Sequence, residues 1–80
     1  MSQALLTIDS LAAELGLERP RDYPEAVELV GDALVARGRT TKERAAMRAV
    51  TKIRAVMNEN AYMAAPYAAL LVLQRLRDAG

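Results

Sequence analysis

The sequence contains no cysteine and no histidine, and these two absences exclude most of the chemistry that 80 residues could carry. Without cysteine there is no disulfide framework, and an oxidising compartment is not implied. Without histidine the chain lacks the commonest metal ligand and the usual base of a nucleophilic triad. The four glycines are isolated and form no phosphate-binding loop. We therefore expect a protein that is not an enzyme and that takes no metal, cofactor or small-molecule substrate.

Aromatic residues and long apolar runs are also scarce. There are three tyrosines but no phenylalanine or tryptophan, although 52% of the residues are hydrophobic, so alanines and short aliphatic residues must build a small core. Small chains are often stabilised by self-association. No segment approaches the roughly 20 apolar residues of a membrane span. Residues 1–9 lack the basic and apolar regions of a signal peptide, so we expect a cytoplasmic protein with no membrane contact.

Helical signals run through most of the chain, whereas no segment alternates apolar and polar residues as a half-buried strand would. The pattern predicts an all-α fold, a compact bundle of four helices in a single domain spanning residues 1–80, and we expect it to self-associate. The predicted helices cover about residues 8–15, 24–37, 41–60 and 66–78. The sequence leaves open whether residues 59–65 form helix or loop.

Local signals define the ends of these helices. The first helix begins at Thr7 or Asp9, and Gly16 is suited to the left-handed position that follows it. Thr40 and Glu43 have the spacing of a capping box at the start of the third helix. Proline is favoured at the first position of a helix, and the fourth predicted helix begins with one.

The third predicted helix separates an apolar face from a basic one. Its apolar stripe, placed at about 100° per residue, consists of Ala46, Ala49, Val50, Ile53, Val56 and Met57. Arg44, Arg48 and Lys52 lie opposite, at positions i, i+4 and i+8. Like charges at this spacing repel by roughly 0.2–0.5 kcal/mol per pair. Solvation of long side chains explains such a face; an anionic partner explains it equally well.

Charge is segregated along the chain, although the net charge is only +1. Residues 1–34 hold seven acids and two bases, and residues 35–57 hold seven bases and one acid. The second helix carries its acids, Glu25, Glu28 and Asp32, opposite its apolar stripe. If the second and third helices form a hairpin, the acidic and basic faces both point outward and cannot meet within one chain. This arrangement predicts a homodimer, or a partner with acidic groups.

The fourth helix is apolar in every direction over its first half. A helix of this kind is buried all round. We therefore expect an oligomer or apolar contact at Tyr67, Leu70 and Leu71; the alternative is that this helix is the central one of a monomeric bundle.

Two functions fit the basic segment. The first is a protein-interaction module, a regulator, adaptor or inhibitor of a size and composition frequent among bacterial and phage proteins, which docks this segment on an acidic protein surface. The second is a nucleic-acid-binding regulator that places the same residues on phosphates. The near-zero net charge and the acidic first half favour the protein partner. The candidate partner- or phosphate-binding residues are Arg37, Arg39, Lys42, Arg44, Arg48 and Lys52.

Overall fold

A computed structural model describes residues 7–38, 40–60 and 63–79 of the chain. It contains four α-helices: α1 (Ile8–Leu15), α2 (Tyr23–Ala36), α3 (Lys42–Glu59) and α4 (Ala65–Asp78). The predicted all-α architecture of four helices is confirmed, and each helix begins and ends within one residue of its predicted bounds. Within the described ranges no residue lies in a β-strand.

The ends of α1 follow from its capping residues. The backbone N–H of Ser10 donates to the Thr7 hydroxyl at 3.1 Å, and the backbone N–H of Thr7 donates to the Ser10 hydroxyl at 3.0 Å, so Thr7 is the N-cap. Gly16 has a φ of 72°, and this conformation lets its own backbone N–H donate to the carbonyl of Ala13 at 3.0 Å and the N–H of Leu17 donate to the carbonyl of Ala12 at 2.9 Å. These bonds satisfy groups that a helix end otherwise leaves unpaired.

The turn between α2 and α3 differs from its prediction at one residue. Gly38 takes the expected left-handed conformation, with a φ of 82°. The N-cap of α3, however, is Thr41 and not Thr40, because the Thr41 hydroxyl accepts the backbone N–H of Arg44 at 3.3 Å. The capping box of Thr40 with Glu43 is therefore wrong. Two neighbouring threonines offer the same cap, and the helix begins after the second.

The fourth helix is the central element of the fold, since it packs against each of the other three. Its buried residues are Ala65, Ala68, Ala69, Leu70, Val72 and Leu73. They form one core with Leu11 of α1, Val30 of α2 and Ile53 of α3. The single chain thus buries most of the apolar segment of α4 and leaves Tyr67 and Leu71 half-buried, so the burial of this helix does not require a second chain.

The buried face of α3 is turned slightly from the predicted one. Ala45, Ala49, Ile53 and Val56 are buried, whereas Ala46 is exposed and Val50 and Met57 are half-buried. The cause is a contact with another helix: Gly31 of α2 faces the backbone of Ala45, and a Cβ at Gly31 would lie 3.8 Å from the Ala45 carbonyl carbon. The smallest side chains at this crossing allow α2 and α3 to approach closely, and Ala45 takes the buried position.

Polar contacts near the end of α4 tie it to all three neighbours. Arg77 lies 4.0 Å from Glu14 of α1, and Arg75 lies 3.4 Å from Glu59 of α3. From the end of α2, the Arg37 guanidinium donates to the carbonyl of Leu76 at 3.2 Å. Exposed pairs of this kind contribute little individually, but together they fix the end of the central helix.

The connection between α3 and α4 is not continuous helix. Asn60, Met63 and Ala64 lie outside the helices, and residues 61 and 62 fall outside the described ranges. No helix in the described part of the chain has both the length and the hydrophobicity that crossing a membrane requires.

Candidate functional site

The side of α3 that points away from the core carries the most informative surface of the described residues. We define the outer face of α3 as Arg44, Met47, Arg48, Thr51 and Lys52. The first four of these are exposed, and Lys52 is half-buried at the edge next to α4. Helical periodicity places them together, because positions three and four apart are neighbours on a helix surface.

The three cations of this face form no ion pair with the residues that the structure describes. Arg19, Arg21, Arg75 and Arg77 all form ion pairs with carboxylates elsewhere in the chain. Within the described ranges, no carboxylate lies at ion-pairing distance from Arg44, Arg48 or Lys52. The predicted ladder of like charges therefore lies on the surface of α3, and no described residue neutralises it.

Met47 belongs to the same face, and sequence reasoning missed it. Its side chain is 72% exposed, well above the exposure of Leu17, Tyr23 and Val35, the other large apolar residues with substantial exposure. The signal was present: three residues after Arg44 and one before Arg48, Met47 had to lie beside the basic stripe. An exposed methionine is soft and adaptable, and such residues are overused at binding surfaces.

A shallow apolar cleft borders the outer face where α3 meets α4. Lys52, Val56, Val72 and Leu76 line it, and it encloses about 280 Å³. The ion pair between Glu59 and Arg75 lies at one end, since both residues also line the cleft. Lys52 is half-buried where it lines the cleft, as expected of a lysine whose aliphatic stem covers apolar surface.

The remaining predicted basic residues do not extend this face as a group. Arg37 is held by the carbonyl of Leu76, so its role is to connect α2 with α4. Lys42 is exposed at the first position of α3. Arg39 lies outside the described residues. Of the six candidates, the structure brings together Arg44, Arg48 and Lys52.

The three residues predicted to form an oligomer contact differ in how deeply they are buried. Leu70 is completely buried and has no surface to offer to a second chain. Tyr67 and Leu71 are half-buried and pack against the core of their own chain. Residues of α4 that the sequence suggested for contact with a second chain thus pack against α1, α2 and α3 of the same chain.

Carboxylates in the described ranges form no cluster of three or more that could hold a metal ion. At the start of α2, away from α3, the Arg21 guanidinium donates to the Glu25 carboxylate at 3.0 Å, and this hydrogen bond lowers the pKa of Glu25.

Comparison with known proteins adds no relative: no family model, no curated protein and no solved structure matches the chain.

Proposed function

We propose that this chain is a small protein-interaction module that docks the outer face of α3 on an acidic protein surface. The observation that supports the proposal is the position of Met47, which is highly exposed and set among cations that form no ion pair with the described residues. Protein interfaces are enriched in methionine and arginine, and their energy is concentrated in a few such residues.

The same observation distinguishes a protein partner from a nucleic acid. Binding to phosphates needs cations and gains little from an apolar side chain between them. Binding to a protein surface buries Met47, and burying a methionine contributes about 1.5–3 kcal/mol. The arginines would bind carboxylates in bidentate geometry, which lysine cannot reproduce. Met47 is thus the residue at which the two functions predict different results.

The test uses two labelled probes and one pair of variants. The probes are an acidic amphipathic helical peptide with a central leucine and a short random-sequence DNA duplex, each titrated by fluorescence anisotropy at low and at rising salt. We expect Met47→Ala to weaken binding of the peptide about tenfold, equivalent to about 1.4 kcal/mol. Val35→Ala, which removes an exposed apolar side chain from α2, is the matched control and should leave the affinity unchanged.

Charge variants complete the test. Arg48→Lys should also weaken binding of the peptide, because it keeps the charge and removes the bidentate geometry. Tight binding of the duplex that Met47→Ala does not affect, together with a salt slope that falls by about one for each cation removed, would replace the proposal with the nucleic-acid function. Failure of the peptide to bind at low salt would refute the proposal.

A further inference from the structure

A second surface, at α2, carries the opposite charge to the outer face of α3. The segment that joins α1 to α2 folds against the outward side of α2 and leaves a groove of about 520 Å³. We define the acidic groove by the lining residues Leu17, Glu18, Pro20, Glu28, Leu29 and Asp32. Leu17 is exposed and Leu29 is half-buried, so the groove presents apolar surface as well as carboxylates.

Three carboxylates of this groove are not neutralised by the described residues of the chain. Arg19 also lines it, but its guanidinium lies 3.3 Å from the carboxylate of Asp9. Glu25 lines it too and is paired with Arg21. Glu18, Glu28 and Asp32 have no cation at ion-pairing distance in the described part of the chain. Three unpaired carboxylates therefore surround an apolar surface.

This pattern is the counterpart of the outer face of α3, where three unpaired cations surround an exposed methionine. The two surfaces cannot meet within one chain, because α2 and α3 pack together through the opposite, buried sides of both helices, with Val30 and Leu34 on α2 and Ala45 and Ala49 on α3. Two copies remove this restriction, since the groove of one chain is free to receive the helix of another.

We infer that the acidic groove of one chain binds the outer face of α3 of a second copy. Met47 of one copy then lies against Leu17 and Leu29 of the other, and its neighbouring cations lie against Glu18, Glu28 and Asp32. The inference rests on the proposed function, because it identifies the acidic partner as a second copy of this chain. Complementary charge fixes the orientation of such a contact and excludes mismatched partners.

Salt and a matched pair of single variants give the first test. In sedimentation equilibrium the wild-type chain should exceed its monomer mass of 8.7 kDa at low salt and approach it as salt rises, because exposed charges are screened. Arg48→Glu should be monomeric at all salt concentrations. Lys42→Glu makes the same change in net charge at an exposed position of α3 that lies about 120° around the helix from Arg48, and it should retain the higher mass.

A charge exchange gives the decisive test. One variant carries Arg44→Glu and Arg48→Glu and has two acidic surfaces; the other carries Glu28→Lys and Asp32→Lys and has two basic surfaces. All four positions are exposed, so both variants should fold, which circular dichroism verifies. Each variant alone should be a monomer by native mass spectrometry. Their mixture should form complexes that contain both chains, since each groove now faces a helix of opposite charge.

The outcomes separate this inference from the function on which it rests. A wild-type chain that is monomeric at low salt, or a mixture of exchange variants that forms no complex, would overturn the groove as the docking site. If the acidic peptide still bound in a Met47-dependent way, the proposed function would stand with another partner. The Glu28→Lys, Asp32→Lys variant should bind that peptide at least as well as the wild type, because its outer face of α3 is intact.

Discussion

The fourth helix and the outer face of α3 show how differently one chain treats two unusual segments. Both looked incomplete in the sequence, one because it is apolar all round and the other because no acid lies three or four residues from its cations. The fold completes the first: α4 is surrounded by three helices, and residues from all three contact its C-terminal turns. For the cations of the second, the described residues provide no ion pair. Features that remain unsatisfied after folding are the better candidates for function.

Truncation of the central helix is the largest change that this comparison predicts. Leu70→Ala removes a completely buried side chain and should lower the free energy of unfolding by about 2–5 kcal/mol. The total free energy of unfolding of a chain of this length is about 4–12 kcal/mol. Leu71→Ala, at a half-buried position of the same helix, should cost clearly less. Urea denaturation followed by circular dichroism measures both. Equal losses would show that α4 is not enclosed as described.

An arginine that contacts α4 and an exposed arginine of α3 should also differ in their contribution to stability. Arg37→Ala removes the hydrogen bond to the Leu76 carbonyl and should cost about 0.5–1.5 kcal/mol. Arg54→Ala, an exposed arginine of α3 for which the described residues provide no ion pair, is the control and should cost almost nothing. The same denaturation experiment decides; if the two variants are equally stable, Arg37 does not connect α2 with α4.

The crossing of α2 and α3 should tolerate one additional methyl group. A Cβ at Gly31 would lie at ordinary contact distance from the Ala45 backbone, so Gly31→Ala fills space without a clash. We expect a gain of about 0.4–1 kcal/mol, since alanine restricts the unfolded chain. Such a gain raises the melting temperature by several degrees in a domain of about 60–100 residues.

A second glycine provides the contrasting control. Gly16 has a φ of 72°, which side chains rarely adopt, so Gly16→Ala should lower the melting temperature. A loss of stability in Gly31→Ala would mean that the two helices are closer than the structure places them.

Removing the middle cation of the outer face should increase stability slightly. Arg48 lies four residues from both Arg44 and Lys52, and each repulsive pair costs roughly 0.2–0.5 kcal/mol. Arg48→Ala should therefore unfold at a higher urea concentration while it loses affinity for the acidic peptide. This opposite effect on stability and binding is the signature of a residue retained for function. A destabilised variant would indicate that Arg48 supports the fold.

The smallest effect concerns a charge that the fold does pair. The hydrogen bond from Arg21 lowers the pKa of Glu25, so the contribution of this pair is present above the unfolded value, about 4.3. It is lost as the pH falls through the lower, folded value. Glu25→Gln should therefore reduce the pH dependence of the urea midpoint in the acid range. Arg21 is exposed and Glu25 is only half-buried, so the difference should shrink in high salt; an unchanged pH profile would contradict the pairing.

Local sequence signals were sufficient to predict the bounds of the helices, but not the contacts that the helices make with one another. Thr7, Gly16, Gly38 and Pro66 mark helix ends through their own backbone or side chain, so the bounds could be predicted to within one residue. The N-cap of α3 was missed because Thr40 and Thr41 compete for one role. These errors concern neighbouring residues and are small.

The larger differences between the predictions and the structure arise from contacts between residues that are far apart in the sequence. The sequence shows that Leu70 belongs to an apolar helix, but not that three other helices of the same chain surround it. Arg37 was grouped with the basic face because its acceptor, the Leu76 carbonyl, is 39 residues away. The rotation of α3 that buries Ala45 depends on Gly31 of another helix. Such pairings are established only by packing.

The measurement that tests the central claim most directly is an NMR titration of the isotope-labelled chain with the acidic amphipathic peptide. Backbone amide shifts should change along the outer face of α3, at Arg44, Met47, Arg48, Thr51 and Lys52, and should remain constant in α4. That result would identify the unpaired basic surface as the binding site for an acidic protein. Shift changes confined to other helices, or no changes at saturating peptide, would contradict the account.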